Sequence, residues 1–134
     1  MDFVQYISTP ANTTEAAPLI TRLKLTKGRL TGGFIYFPYG PAGTLHILAR
    51  IGIHQILPFN TGQNYRLDDA VIPLHLRIDL SHPPYEIELV TWNDSTTFAH
   101  ALTICFFLDP DRKIAYVETA LDKYKTDTEG YLKP

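Results

Sequence analysis

Between residues 19 and 109 apolar and polar residues alternate with period two, broken by Pro- and Gly-rich turns about every ten to fifteen residues. Successive side chains of a strand point to opposite faces, so the pattern calls for half-buried antiparallel strands. In "LITRLKLTK", Leu19, Thr21, Leu23 and Leu25 share one face, while Arg22 and Lys24 share the other. In "RLTGGFIYF", Gly32 and Gly33 predict a bulge or a close backbone approach. After the turn at 39–43, Leu45, Ile47, Ala49, Ile51 and Ile53 fall on one face, with His46, Leu48, Arg50, Gly52 and His54 on the other. That run is long beside the usual strand of about five or six residues, so it is either one bent strand or two strands broken at Gly52. A second turn, "FNTGQN", leads to "DDAVIPLHLRIDL", where Pro73 argues for an edge strand or a bulge. "YEIELVTWN" alternates again, with Glu86 and Glu88 outward. "FAHALTICFFL" is apolar on both faces and reads as the most central strand.

The expected fold is all-β: one antiparallel β-sandwich of six to eight strands, jelly-roll-like. Its domain spans 19–109. Residues 1–18 read as an N-terminal arm, because the polar, Pro-bounded "STPANTTEAAP" separates a short apolar "FVQYI" from the sandwich. Residues 110–134 read as a short helix and a tail: Ile114, Val117, Leu121 and Tyr124 stand at helical spacing after "DPDR".

At 134 residues the chain has the length of one domain and buries enough surface to fold without staples. The net charge of −2 comes from 12 basic and 14 acidic residues with no basic block, which argues against a nucleic-acid partner. Cys105 is the single cysteine, so there is no internal disulfide and no cysteine zinc cluster. Within "LTICFFL" it reads as a buried hydrophobe. The N-terminus has no basic segment followed by an apolar run, so no signal peptide is expected, and no apolar run reaches the length of a membrane helix. Asn12-Thr13-Thr14 and Asn93-Asp94-Ser95 match the glycosylation pattern and are read as chance matches for that reason.

No catalytic constellation stands out. The histidines are His46, His54, His75, His82 and His100, and none has helical zinc-motif spacing; His46 and His54, eight residues apart, are too distant to chelate one ion on a straight strand. Strand pairing that joined His46, His75 and His100 would make a metal site, against which stands the reading of ordinary sheet histidines. Ser8, Ser81 and Ser95 lack a nucleophile elbow. Glu86 and Glu88 share a face as a glycosidase pair does, but their alternation with Ile87 and Leu89 suits an exposed sheet face. Asp68-Asp69 lacks the density of a calcium loop. Aromatics crowd the turn at 34–39 and flank later turns; Tyr36, Tyr39 and Trp92 are the candidates for stacking a sugar, set against core packing.

Two resemblances add to these readings. Gly32, five residues, then Pro38-Tyr39-Gly40 resembles the opening of the second cupin motif, Gly-x5-Pro-x-Gly-x2-His-x3-Asn. Gly43 stands where that motif has its metal-binding His, Ile47 where it has Asn, and the first cupin motif is missing, so the likeness covers the turn alone. The succession "FPYGPAGTLH", "HQILPFN", "RLDDAVI", "PPYEIELVTWND" and "AHALTICFFLDP" resembles small β-sandwich virion-associated proteins of phages and prophages. That resemblance implies a non-enzymatic structural subunit in a virion or a cytoplasmic assembly, acting by self-association and docking. Its partners would be copies of itself and other structural proteins of the same assembly, without cofactor, metal, nucleic acid or membrane. Phe3, Val4, Tyr6 and Ile7 on the arm, and His46, Arg50 and His54 on the long strand, are the expected interface residues. The alternatives are a carbohydrate- or small-ligand-binding sandwich module and a cupin-like metal-dependent enzyme.

Overall fold

The structure is a computed structural model that describes residues 1–110. The 110–134 unit expected as helix and tail therefore lies, but for its first residue, outside the described residues. Eight strands follow one another with no helix between them: β1 (Asp2–Thr9), β2 (Leu19–Lys24), β3 (Gly28–Phe37), β4 (Leu45–Ile51), β5 (His54–Leu57), β6 (Ala70–Leu80), β7 (Glu86–Asn93) and β8 (His100–Pro110). They form two antiparallel four-stranded sheets, in the order β1-β8-β3-β6 and β2-β7-β4-β5. The expected β-sandwich is thus present.

The period-two pattern explains the layering. Leu30, Ile35, Phe37, Leu102, Ile104, Phe106 and Leu108 turn inward from the first sheet, and Leu45, Ile47, Ala49, Ile87 and Leu89 from the second; all belong to one buried cluster. Complete burial of a side chain the size of Phe106 contributes about 2–3 kcal/mol, so facing rows of this kind hold the two sheets together.

Local chemistry sets the breaks. Gly52, in the left-handed region at φ 59°, turns the long His-bearing run back on itself, and Ile51 pairs with His54. The run is therefore the hairpin β4–β5, and Ile53 lies exposed in its turn instead of on the inward face. Gly32 and Gly33 sit at a register shift where β3 meets both β6 and β8. Gly33 has φ 151°, and a Cβ there would drive into the Cys105 carbonyl, so only glycine lets β3 lie this close to β8. Pro73 lies on β6, an edge strand, as expected. The Pro-Gly corner before β4 is clamped by Asp68, which accepts from the Gly40 and Ala42 N–H groups at 2.8 and 3.0 Å. The Ala42 bond first, then the Gly40 bond, holds the Asp68 carboxyl below its ordinary range.

One expectation is corrected. Residues 2–9 are not part of an arm. They form β1, which pairs with β8 over eight consecutive positions, from Asp2–Phe107 to Thr9–His100. The apolar residues in "FVQYI" alternate, so they fit a pleat that buries Phe3 and Ile7, and the Met1 ammonium and carbonyl exchange bonds with Leu108 at 2.8 Å each. Only the segment after Thr9 crosses to the other sheet, where Thr13 bridges to Asn93.

Candidate functional site

The pleat that fills the core also decides what the outside of each sheet presents. On the first sheet, register places Tyr6, Thr103, Tyr36 and Val71 in one row across the four strands. The next row is Val4, Cys105, Phe34 and Pro73, and Phe107 follows beside Asp2 and Gly32. All of these are side chains of the outer face, and the two complete rows carry no charge. Val4 and Tyr6 are 62% and 65% exposed, and Val71, Tyr36 and Phe107 are exposed as well. Phe34 and Phe107 meet edge to face, with ring centres 6.4 Å apart. Cys105 is buried among these neighbours; desolvation first, and the charge of Asp2 second, pushes its thiol pKa up, which makes it a poor nucleophile. Contiguous exposed apolar surface of this kind marks an interaction site more often than a scatter of single residues does.

The same face ends at β1, an edge strand among the described residues. Sheet edges are usually blunted against pairing with other chains. β6 carries Pro73, Arg77 and Asp79; β5 has four residues and runs into Pro58; β2 has six residues and projects Arg22 and Lys24. β1 has eight residues, a single charged side chain, Asp2 at its first position, no proline, no lysine or arginine, and an unbroken register with β8.

The second sheet is built differently. Glu88 lies between Arg22 and Arg50, with its oxygens 3.5 Å from the Arg22 Nε and 2.6 Å from the Arg50 Nε. The Arg50 hydrogen bond is the largest reason that its carboxyl titrates below the ordinary glutamate range. Farther along, the His46 ring lies flat on Trp92, with centroids 4.9 Å apart and planes 9° apart. Its Nδ1 is 2.7 Å from Asn64 Oδ1 and its Nε2 is 2.7 Å from Asp94 Oδ2. Beside it, fully buried Asn93 donates to the carbonyls of Thr9 and Phe98 and accepts from the Ser95 N–H, which ties the end of β1 to the second sheet.

These placements sort the expected site residues. Val4 and Tyr6 do reach solvent, but Phe3 is half-buried and Ile7 is buried in the core. His46 is 5% exposed and cannot serve as an interface residue; its partners are the chain's own Asn64, Asp94 and Trp92. Arg50 is engaged by Glu88, while His54 stands exposed at the start of β5. Tyr36 and Tyr39 are exposed, but Trp92 is 4% exposed beneath His46, so its face is closed to a sugar. His46 belongs to the second sheet, and His75 and His100 to separate strands of the first. The three do not converge, and no group of three or more potential metal ligands exists among the described residues. Glu86 and Glu88 line an open groove of about 410 Å³ with His54, His82 and Pro83-Pro84.

The residues that sequence reasoning missed are Phe34, Val71 and Phe107. Their signal lies in the apolar outward phases of "FAHALTICFFL", "GGFIYF" and "AVIPL", but apolar residues on both faces of a strand, as in "FAHALTICFFL", equally read as a strand covered on both sides. β8 is central, yet its second face is the surface of the molecule. No family model matches the chain, and no curated protein or solved structure is detectably similar to it.

Proposed function

We propose that this protein is a non-enzymatic structural subunit that acts by self-association, with a jelly roll as its framework and a phage virion or virus-like particle as its setting. The observation that carries self-association is the coincidence, on β1, of an undefended sheet edge with an exposed apolar face.

The jelly-roll reading is supported by the pairing: first strand with last, second with seventh, third with sixth and fourth with fifth, the pairs alternating between the two sheets. A long antiparallel ribbon folded over itself gives this order, and eight strands in two sheets is the jelly-roll count. Capsid proteins, lectins and cupins share that framework, so the fold supports the virion reading by analogy only. What narrows it is the phage-like succession of segments in residues 19–109, together with a closed Trp92 and a dispersed histidine set. Its partners would be further copies of this chain and neighbouring structural proteins.

Size-exclusion chromatography with light scattering tests the reading. The expected result is a discrete oligomer whose mass falls to that of one chain when Val4 and Tyr6 are both replaced by Lys. A wild-type protein that stays a monomer at high micromolar concentration overturns it.

A further inference from the structure

We propose that a second copy of this chain adds to β1 edge to edge, antiparallel, about a two-fold axis at Gln5, so that the first sheets of two subunits become one continuous sheet. The inference rests on the self-association reading and names its surface and its register.

The backbone sets the register. Met1 and Leu108 exchange both of their backbone bonds. In an antiparallel ladder such pairs recur at every second residue, so Met1, Phe3, Gln5, Ile7 and Thr9 direct their N–H and C=O groups toward β8. Asp2, Val4, Tyr6 and Ser8 therefore direct theirs to the open edge. The position of one of these groups agrees: the Tyr6 carbonyl is reached by the exposed Gln5 side chain, Nε2 to O 3.0 Å, a contact that a pairing strand would replace. The even residues are also those whose side chains lie on the apolar outer face. A strand that bonds to them must set its own even residues opposite, or its apolar side chains would turn to the wrong face.

For two identical strands this leaves few registers, each defined by the sum of the paired residue numbers. Pairing Val4 with the partner's Tyr6 places Asp2 opposite the partner's Ser8 and Gln5 opposite the partner's Gln5. All four even positions are then bonded, and a β-branched residue meets an aromatic one twice, a favourable cross-strand pair. A slip of two residues toward the N-terminus sets Asp2 against the partner's Tyr6. A slip the other way sets Val4 against the partner's Ser8. Either slip leaves an even residue unbonded. The chosen register is self-complementary, as a closed two-fold interface requires. It also extends the uncharged rows Tyr6-Thr103-Tyr36-Val71 and Val4-Cys105-Phe34-Pro73 across the junction, since each row meets the other row of the partner.

The axis residue gives the test. In this register Gln5 and the partner's Gln5 form a non-hydrogen-bonded pair, whose Cα atoms lie about 4.5 Å apart, within disulfide reach. With Cys105 replaced by Ala, Gln5→Cys is expected to yield a disulfide-linked dimer on mild oxidation, read on a non-reducing gel. Val4→Pro removes an open-edge donor without touching a bond to β8, and is expected to shift the mass measured by light scattering from dimer to monomer with an unchanged circular-dichroism spectrum. Should Val4→Pro disturb the fold, Tyr6→Lys serves as the second variant, with the same expected shift. An oligomeric wild type whose folded Gln5→Cys variant does not cross-link overturns this inference and leaves self-association standing, whereas a monomeric wild type overturns both. Cross-linking that appears only after truncation behind Pro110 assigns the edge to the chain's own C-terminal segment and likewise overturns the inference.

Discussion

The outer faces of the two sheets are made by the same pleat and end in opposite conditions. On the first sheet Val4, Tyr6, Tyr36, Val71 and Phe107 stand in solvent, and the charged pair there, Arg29 with Asp79 at 2.7 Å, sits beyond the apolar rows. On the second sheet the aromatic surface is used up: Trp92 lies under His46, and the chain's own Asn64 and Asp94 hold that imidazole in place. The rest of its outer face combines an apolar row, Ile20, Val90 and Leu48, of which Ile20 reaches solvent, with a charged row in which Glu88 stands between two arginines. One sheet has its aromatic surface covered by its own loops, while the other keeps its apolar rows in solvent. The difference is what supports placing the proposed interface on the first sheet.

The sharpest way to break this comparison lies within β8, where two identical residues stand side by side. Phe106 faces the core and is fully buried, while Phe107 faces outward and is 39% exposed. Phe106→Ala is expected to cost about 3–5 kcal/mol, because it opens a cavity between the sheets. Phe107→Ala is expected to cost under about 1 kcal/mol in the isolated subunit. Urea denaturation measures both. Equal losses would mean that the first sheet's outer face is covered in the free protein, and the contrast between the sheets would fall.

A smaller effect probes the second sheet. His46→Ala removes the ring stacked on Trp92 and leaves Asn64 and Asp94 without their shared partner, so about 2 kcal/mol of stability should be lost. Tryptophan fluorescence should report a more solvated Trp92. The matched change on the first sheet, Tyr6→Ser, should leave the stability of the isolated subunit almost unchanged and alter association instead. If His46→Ala is as mild as Tyr6→Ser, the second face is no more covered than the first.

The layers were legible in the sequence because a period of two is the direct record of a two-sided strand. Alternation alone placed Leu45, Ile47 and Ala49 inward and anticipated the edge position of Pro73. It did not place β1. "FVQYI" is short, and its separation from the sandwich by a polar, proline-bounded segment looks the same whether that segment is a tether or a crossover between sheets. Only pairing with β8 over the full length of β1 distinguishes the two. Nor could alternation reveal the fate of His46. Its neighbours in space, Asn64 and Asp94, come from loops 18 and 48 residues away along the chain, and no local pattern encodes such convergence. The same blindness made Trp92 a candidate platform, because an aromatic on the outward phase of a strand is exposed only if no loop folds over it.

The smallest expected effect concerns the charged row of the second sheet. Glu88 accepts from Arg50 and lies near Arg22, and these contacts hold its carboxyl below the ordinary glutamate value. A carboxylate with a lowered folded-state pKa adds stability above its unfolded pKa, about 4.3, and loses that contribution as pH falls through the folded value. Glu88→Gln should therefore lower stability at neutral pH by under about 1 kcal/mol, since the pair stands near solvent. The gap between variant and wild type should close as the solution is acidified below the ordinary glutamate range, and should narrow at high salt at any pH. Urea midpoints across a pH series measure it. Phe107→Ala, which removes no charge from the outer face of the other sheet, should show a pH-independent difference over the same range. A pH-dependent gap for Phe107→Ala, or a constant one for Glu88→Gln, would show that charge is not what separates the two faces.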